Sequence, residues 1–291
     1  MITKSEYEDI EKILLKYRYK GTFALTNETL KIIDNILTFK REIHENVKNG
    51  NFYMAYQPKI NPDGKNSVGA EALFRMKSDY FINPEVVFTL FKICNSEKDV
   101  IVKQIEMLCK DISHLTQNID SDYRISINVN IKLIDENFCK VLHENLKKNG
   151  ISAKNIEIEI LENEDFDNVP RQARAILKKL RDEGVKIALD DYGSFNADKS
   201  AYNRYNFDVL KIDKHIIDKA NETNDYSEIK NIYKMAIEKN PNVEVVVEGV
   251  ENAKEVKELQ KIGNFSYQGF YFSKAIKLDD LIEKYGCAKT L

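Results

Sequence analysis

The chain has 291 residues, with 44 Lys plus Arg against 47 Asp plus Glu and a formal charge of −3. That near-neutral balance argues against a broad basic face for duplex DNA, although a few local cations would serve a small anionic ligand. Apolar residues at 43% and charged residues at 31% suffice for a core and are too mixed in sign for a disordered chain. No apolar run approaches the roughly 20 residues that span a bilayer. Met1 is followed by Ile-Thr-Lys-Ser-Glu, not by an apolar signal core. Cys94, Cys109, Cys139 and Cys287 form no C-x-x-C pair. A cytoplasmic protein with reduced thiols is expected, with no membrane span and no duplex nucleic acid as partner.

In chain order, residues 1–49 read as an N-terminal helical extension. Ile10, Ile13, Leu14 and Tyr17 mark one segment, Leu30, Ile33, Ile36, Leu37 and Ile43 the next, and Asn49-Gly50-Asn51 ends it. Residues 50–291 then form the main domain. The period changes at Phe52: Tyr53–Ile60 and Val68–Met76 read as strands around the turn Asn61-Pro62-Asp63-Gly64. That link is too short for a helical crossover, so the first two strands are expected to be antiparallel. Further strands are predicted at Arg124–Asn130, Ile156–Leu161, Val185–Asp190, Asp208–Ile212, Val243–Val247 and Phe265–Gln268. Helices are predicted at about 84–94, 98–117, 134–148, 170–183, 199–205, 225–239 and 252–261. This alternation predicts an α/β chain, a (β/α)8 barrel with an irregular opening. A doubly wound sheet is the alternative, without a G-x-G-x-x-G to support it.

The polar residues at the strand ends carry the functional signal. Glu71 lies in the second strand, Asn128 in the third and Glu159 in the fourth, Asp190 and Asp191 close the fifth, Lys211 lies in the sixth, Glu248 follows the seventh and Gln268 ends the eighth. In a parallel barrel the C-terminal strand ends form one mouth, where these residues would converge. Singly, each has a plainer use: a lone Glu more often caps a helix or pairs in a salt bridge, and Asp-Asp before Tyr-Gly is often only a turn. It is their recurrence at successive strand ends that argues for a site. Carboxylates gathered so closely raise one another's pKa unless cations join them, and an oxygen-rich set selects hard divalent metals. Two such ions about 3.5–4 Å apart would suit in-line hydrolysis of a phosphate ester. The residues thus point to a metal-dependent hydrolase of an anionic, phosphorylated substrate, with Lys211 steadying the attacking water or the phosphate.

These residues also sit in familiar text. Tyr56-Gln57-Pro58-Lys59, Gly69-Ala70-Glu71-Ala72-Leu73-Phe74-Arg75, Ile127-Asn128-Val129, Glu159-Ile160-Leu161-Glu162, Ile187-Ala188-Leu189-Asp190-Asp191-Tyr192-Gly193, Leu210-Lys211-Ile212-Asp213, Val247-Glu248-Gly249-Val250-Glu251 and Gln268-Gly269-Phe270-Tyr271-Phe272-Ser273-Lys274 follow one another over roughly 50–276. In this order they resemble the EAL family, bacterial phosphodiesterases of cyclic di-GMP. The resemblance implies a TIM-like barrel with an antiparallel first strand, and opening of cyclic di-GMP to linear pGpG with two Mg²⁺ or Mn²⁺ ions. It implies metal-site roles for Glu71, Asn128, Glu159, Asp190, Asp191 and Glu248, and a catalytic set of Glu71, Lys211, Asp191 and Glu248. Gln57, Arg75, Leu73 and Gln268 match substrate-contacting positions, and Glu162 and Glu251 loop-supporting ones. It further implies a homodimer formed through loops at the barrel mouth.

One stretch departs from the family. Active members read Asp-Asp-Phe-Gly-Thr-Gly-Tyr-Ser-Ser after the fifth strand, where this chain has Asp190-Asp191-Tyr192-Gly193-Ser194-Phe195-Asn196-Ala197-Asp198. Phe195 stands for a glycine, and a bulky side chain at positive φ is strained, so the loop is expected to take another path. Leu161, Asn130 and Ala275 replace the usual threonine, serine and proline. The altered loop keeps alive a second function: a catalytically impaired domain that acts as a cyclic di-GMP receptor or protein-interaction module. No H-E-x-x-H or His-Asp pair supports a zinc or HD-GYP phosphodiesterase, and no Gly-Gly-Asp-Glu-Phe marks an attached cyclase.

Overall fold

The computed structural model describes residues 45, 49, 51–76, 88, 91–92, 96–161, 169–194, 202 and 205–286. The chain separates into two compact units, Met1–Tyr53 with Phe74–Gln104, and Met54–Leu73 with Ile105–Leu291. In the first, Phe74 packs on Phe52 and Phe88 and meets Phe91 edge-on at 5.6 Å, an aromatic cluster whose centre is buried. The predicted 1–49 extension lies outside the described residues apart from Glu45 and Asn49.

Eight strands close into a barrel in chain order: β1 Phe52–Ile60, β2 Ser67–Met76, β3 Arg124–Asn128, β4 Ile156–Leu161, β5 Lys186–Tyr192, β6 Val209–Ile212, β7 Glu244–Val247 and β8 Phe265–Tyr267. Pairing is parallel from β2 through β8, while β1 runs antiparallel to β8 with Ile60 opposite Tyr267. The Asn-Pro-Asp-Gly hairpin supplies that reversal: Gly64 takes φ +75° and the amide of Asn61 donates to the carbonyl of Asn66. The described helices are α1 Glu97–Asn118, α2 Glu136–Asn149, α3 Arg171–Asp182, α4 Lys214–Thr223, α5 Ser227–Lys239, α6 Ala253–Gln260 and α7 Leu278–Tyr285. The fold is a TIM-like (β/α)8 barrel with an antiparallel first strand.

The predicted strands are all present, within two residues at each end. Two helices, α4 and α7, were not predicted. The first starts at Asp213, whose side chain accepts from the amide of His215, and buries Ile216, Ile217 and Ala220. The predicted helices at 84–94 and 199–205 fall mainly outside the described residues. Inside the barrel, Ala188, Val209 and Val246 form a dry layer. They stand two residues before Asp190, Lys211 and Glu248, so the period of the strand places those three polar groups on the same inner face, one step nearer the mouth.

Candidate active site

Glu71, Glu159, Asp190 and Glu248 converge on one side chain. The Nζ of Lys211 lies 2.7 Å from Asp190 Oδ1, 2.9 Å from Glu159 Oε2, 2.9 Å from Glu248 Oε1 and 3.6 Å from Glu71 Oε2. Lys211 and Glu159 are fully buried, and Glu71 and Asp190 nearly so. Strand register brings them together: Asn128 stands opposite Glu159, and Leu161 opposite Asp190.

Two consecutive aspartates on one strand would ordinarily face opposite sides of the sheet. Here a register shift between Leu189 and Tyr192 breaks the β5–β6 ladder, and Asp191 takes φ +56°. This bulge re-aims Asp191 so that an oxygen of each of Asp190, Asp191 and Glu248 lies within 4.8 Å of the others. Oxygens of Glu71, Glu159 and Asp190 form a second such group. Asp190 belongs to both.

The amides fill the rim. Asn128 donates its Nδ2 to Glu71 Oε1 at 2.8 Å, and Gln268 donates its Nε2 to Glu71 Oε2 at 2.6 Å and to Gln57 Oε1 at 3.2 Å. Among the described residues, Gln268 Oε1 is buried without a hydrogen-bond partner. Gly269 seats Gln268: its Cβ position would lie 2.1 Å from the carbonyl oxygen of Val250, so only glycine lets the chain after β8 touch the turn that carries Glu248.

Burial and like charge shape the protonation of these groups. Burial, reinforced by the neighbouring carboxylates, pushes Asp190 well above the usual carboxylate range despite Lys211. Burial and the adjacent Asp190 raise Asp191 to about 7. Burial also raises Glu248 to about 7, with Glu71 and Glu159 adding to it against Lys211. Glu159 goes the other way: the burial that would raise it is outweighed by the ammonium groups of Lys211 and Lys59, which hold it down at about 2. Lys211 itself is held well above its ordinary value, since four carboxylates overcome its burial. A donor set made of carboxylate and amide oxygens, crowded with like charge and sharing one ammonium, fits a hard divalent cation.

Not every expected residue joins the cluster. Leu73 shares the inner face of β2 with Glu71, two residues nearer the mouth. Arg75 belongs to the first unit, where its guanidinium donates to the carbonyl of Phe74 at 2.8 Å. Glu251 is exposed and pairs with Lys214 at 2.9 Å. The buried Glu255 ties that loop instead, accepting from the amide of Glu251 and from the side chains of Asn252 and Asn221. Glu162 and Phe195–Asp198 lie outside the described residues, whereas the start of that loop is well anchored. Tyr192 is buried with its hydroxyl on Met235, and the amide of Ser194 donates to the carbonyl of Asp191.

Sequence reasoning missed four charged residues inside the barrel. Lys59 lies 2.6 Å from Glu157 and 2.7 Å from Glu159, and Arg124 Nε lies 2.9 Å from Glu157 Oε2 while its fork grips Glu244. The available signal was period two: Lys59 shares a face with Gln57, and Glu157 with Glu159. No helix of the described residues is long and apolar enough to cross a membrane.

Comparison with known proteins fits this geometry. The chain is 28% identical over 284 residues to the cyclic di-GMP phosphodiesterase PdeA of Borreliella burgdorferi, covering 94% of this chain and 40% of that one. It is 25% identical over 258 residues to the probable cyclic di-GMP phosphodiesterase PdeB of Escherichia coli, covering 87% of this chain and 48% of the relative. The chain thus spans less than half the length of these curated relatives. The structure superposes on the EAL enzyme Bd1971, in its form bound to cAMP and cyclic di-GMP, with TM-score 0.81 at 22% identity, covering 97% of this chain and 76% of the other. A family model described as the EAL domain matches residues 40–275, four-fifths of the chain and all eight strands, and the chain therefore belongs to the EAL domain family.

Proposed function

We propose that this chain hydrolyses cyclic di-GMP to linear pGpG in the cytoplasm, with two divalent cations, Mg²⁺ or Mn²⁺, held at the barrel mouth. The observation that carries the reading is the convergence of Glu71, Glu159, Asp190 and Glu248 on the ammonium of Lys211 within 3.6 Å. The names of the relatives, two phosphodiesterases of this dinucleotide, support the same substrate. Glu71, Asn128, Glu159, Asp190, Asp191 and Glu248 would hold the ions, with Asp190 shared by the two carboxylate groups. Cations bound there supply Lewis acidity toward a phosphodiester oxygen and acidify the attacking water.

The protein's own groups do the rest. Lys211 remains an ammonium among its carboxylates, so it donates hydrogen bonds and stabilises negative charge as the attacking oxygen loses its proton. Gln268 holds Glu71 through its Nε2, and its unpartnered Oε1 would accept from that water. Gln57 and Leu73 line the entry for the dinucleotide. Arg75 carries a forked donor suited to the phosphate.

The deciding measurement is incubation of purified protein with cyclic di-GMP and either metal, following linear product by chromatography together with binding. Hydrolysis that Glu71→Ala abolishes is the expected result. Tight binding without turnover in both metals overturns it, and makes the chain a receptor whose altered 192–198 loop has cost it activity.

A further inference from the structure

Glu159 is gripped from both sides. Its Oε2 accepts from Lys211 at 2.9 Å and its Oε1 from Lys59 at 2.7 Å. Lys211 is divided among four carboxylates, whereas Lys59, itself buried, bonds Glu159 and Glu157. Glu157 is held in turn, its Oε1 by Lys59 at 2.6 Å and its Oε2 by Arg124 at 2.9 Å, and Arg124 reaches Glu244 at the start of β7. Cation and anion therefore alternate from the mouth toward the opposite end of the barrel: Lys211, Glu159, Lys59, Glu157, Arg124, Glu244.

We propose that Lys59 is a positioning residue for the carboxylate site, pinning one oxygen of Glu159 so that the other faces Asp190 and Glu71. The inference rests on reading that cluster as the metal-binding active site. A glutamate's terminal torsion is broad and two-fold, so an unpinned carboxylate would turn either oxygen, or neither, toward an incoming ion. With Glu71 and Asp190 nearby, repulsion favours turning away. Lys59 removes that freedom from below. Because its ion pairs are with Glu159 and Glu157 and not with Asp190, Glu248 or Glu71, it would stay with Glu159 whether or not a cation joined the other carboxylates. Outer partners of this kind typically change metal affinity or activity about 10–100-fold when lost.

Removing Lys59 alone strands two buried carboxylates, so the test removes one charge of each sign. Lys59→Met with Glu157→Leu, and Lys59→Gln with Glu157→Gln, are compared with the unaltered chain by circular dichroism, melting, Mn²⁺ titration without substrate, and kcat against KM for cyclic di-GMP. At least one pair should melt cooperatively with a native spectrum, bind Mn²⁺ about 10-fold or more weakly, and lose kcat about 10–100-fold with KM little changed. Folded variants that bind Mn²⁺ and turn over like the unaltered chain overturn the proposal. So does failure of both pairs to fold, which would make Lys59 a stability residue. An unaltered chain that binds Mn²⁺ without hydrolysis overturns the hydrolase reading while leaving the Lys59 comparison to stand on binding. An unaltered chain that binds no Mn²⁺ overturns both.

Discussion

The ammonium of Lys211 on β6 lies 2.7 Å from Oδ1 of Asp190 on β5, and this contact keeps a mouth full of like charge in one piece. Three other carboxylates share the same nitrogen. In effect Lys211 occupies the position where positive charge is most needed. A divalent cation entering the cluster would compete with it for the same oxygens.

Lys211→Met should therefore do two things at once. Without metal, it leaves Asp190, Glu159 and Glu248 without their shared cation, and breaking a buried pair in this way costs about 3–5 kcal/mol. With Mn²⁺, the variant should recover more stability than the unaltered chain gains, since no ammonium has to be displaced. Loss of a group that stabilises charge at the reacting oxygen should also cut hydrolysis by about 100-fold or more. Urea denaturation with and without Mn²⁺ reads the first effect; identical midpoints for variant and unaltered chain without metal would refute it.

The bulge at Asp191 predicts an unusual ranking of substitutions. At φ +56° asparagine is tolerated and a β-branched residue is not, the left-handed region costing about 1–2 kcal/mol for such side chains. Asp191→Asn should melt at or above the temperature of the unaltered chain, since it also removes a charge beside Asp190, yet bind Mn²⁺ far more weakly. Asp191→Val should lose both stability and binding. Equal melting temperatures for the two variants would show that the left-handed backbone does not constrain this position.

Much of this site was legible in the sequence, for a physical reason. Alternation and turn chemistry fix where strands stop, and a parallel barrel turns strand ends into one mouth, so Glu71, Glu159, Asp190, Lys211, Glu248 and Gln268 could be placed together before any coordinates. The bulge that brings Asp191 together with Asp190 and Glu248 was not legible, because it depends on the ladder with β6 and leaves no mark in the residue types. Lys59 and Glu157 were passed over because a charged residue within a strand is usually at the surface. Their burial is possible because each satisfies the other. A second carboxylate that anchors the turn after β7 was also legible: Asn252-Ala-Lys-Glu255 is a capping box that closes on itself, beside Glu251, which is exposed and pairs with Lys214.

Acidity gives a third prediction. Asp191 and Glu248 have folded pKa values raised to about 7, above those of an unfolded chain. A raised carboxylate stabilises the fold at acid pH, and that contribution is lost as pH rises from the unfolded value of about 4 through about 7, because over that range the folded state holds protons the unfolded chain has already released. Metal-free protein should accordingly weaken between about pH 4 and pH 7 and change little above that. Glu159, lowered to about 2, contributes the opposite dependence, but only in strong acid. Binding of Mn²⁺ requires the deprotonated groups, so its affinity should rise by up to about tenfold per pH unit for each of the two carboxylates below about pH 7, with Asp190, also raised, adding to the dependence. Calorimetric titrations in buffers of different ionisation enthalpy would count the released protons. A pH-independent affinity with no proton release would contradict the burial of these groups.

Gly269 offers the sharpest steric test, because it joins the two sides of the mouth. A Cβ there would lie 2.1 Å from the carbonyl oxygen and 2.3 Å from the amide nitrogen of Val250, backbone atoms that no side-chain rotation can move aside. The same backbone is tied in by hydrogen bonds: the amide of Val250 donates to the carbonyl of Gln268, and the amide of Tyr271 to that of Val250. Gly269→Ala must push these two segments apart, at about 1–3 kcal/mol for overpacking. The displacement falls between Gln268, which holds Glu71 at 2.6 Å, and Glu248, which holds Lys211 at 2.9 Å. A shift of about 1 Å there should reduce kcat on the order of 100-fold, beyond what the loss of stability explains. Gly150→Ala is the control: it sits at φ +65° after α2 with open space around the missing Cβ, so it should cost about 1 kcal/mol of backbone strain and leave hydrolysis unchanged. Equal activity in the two variants would mean that the close approach at Gly269 does not set the geometry of the mouth.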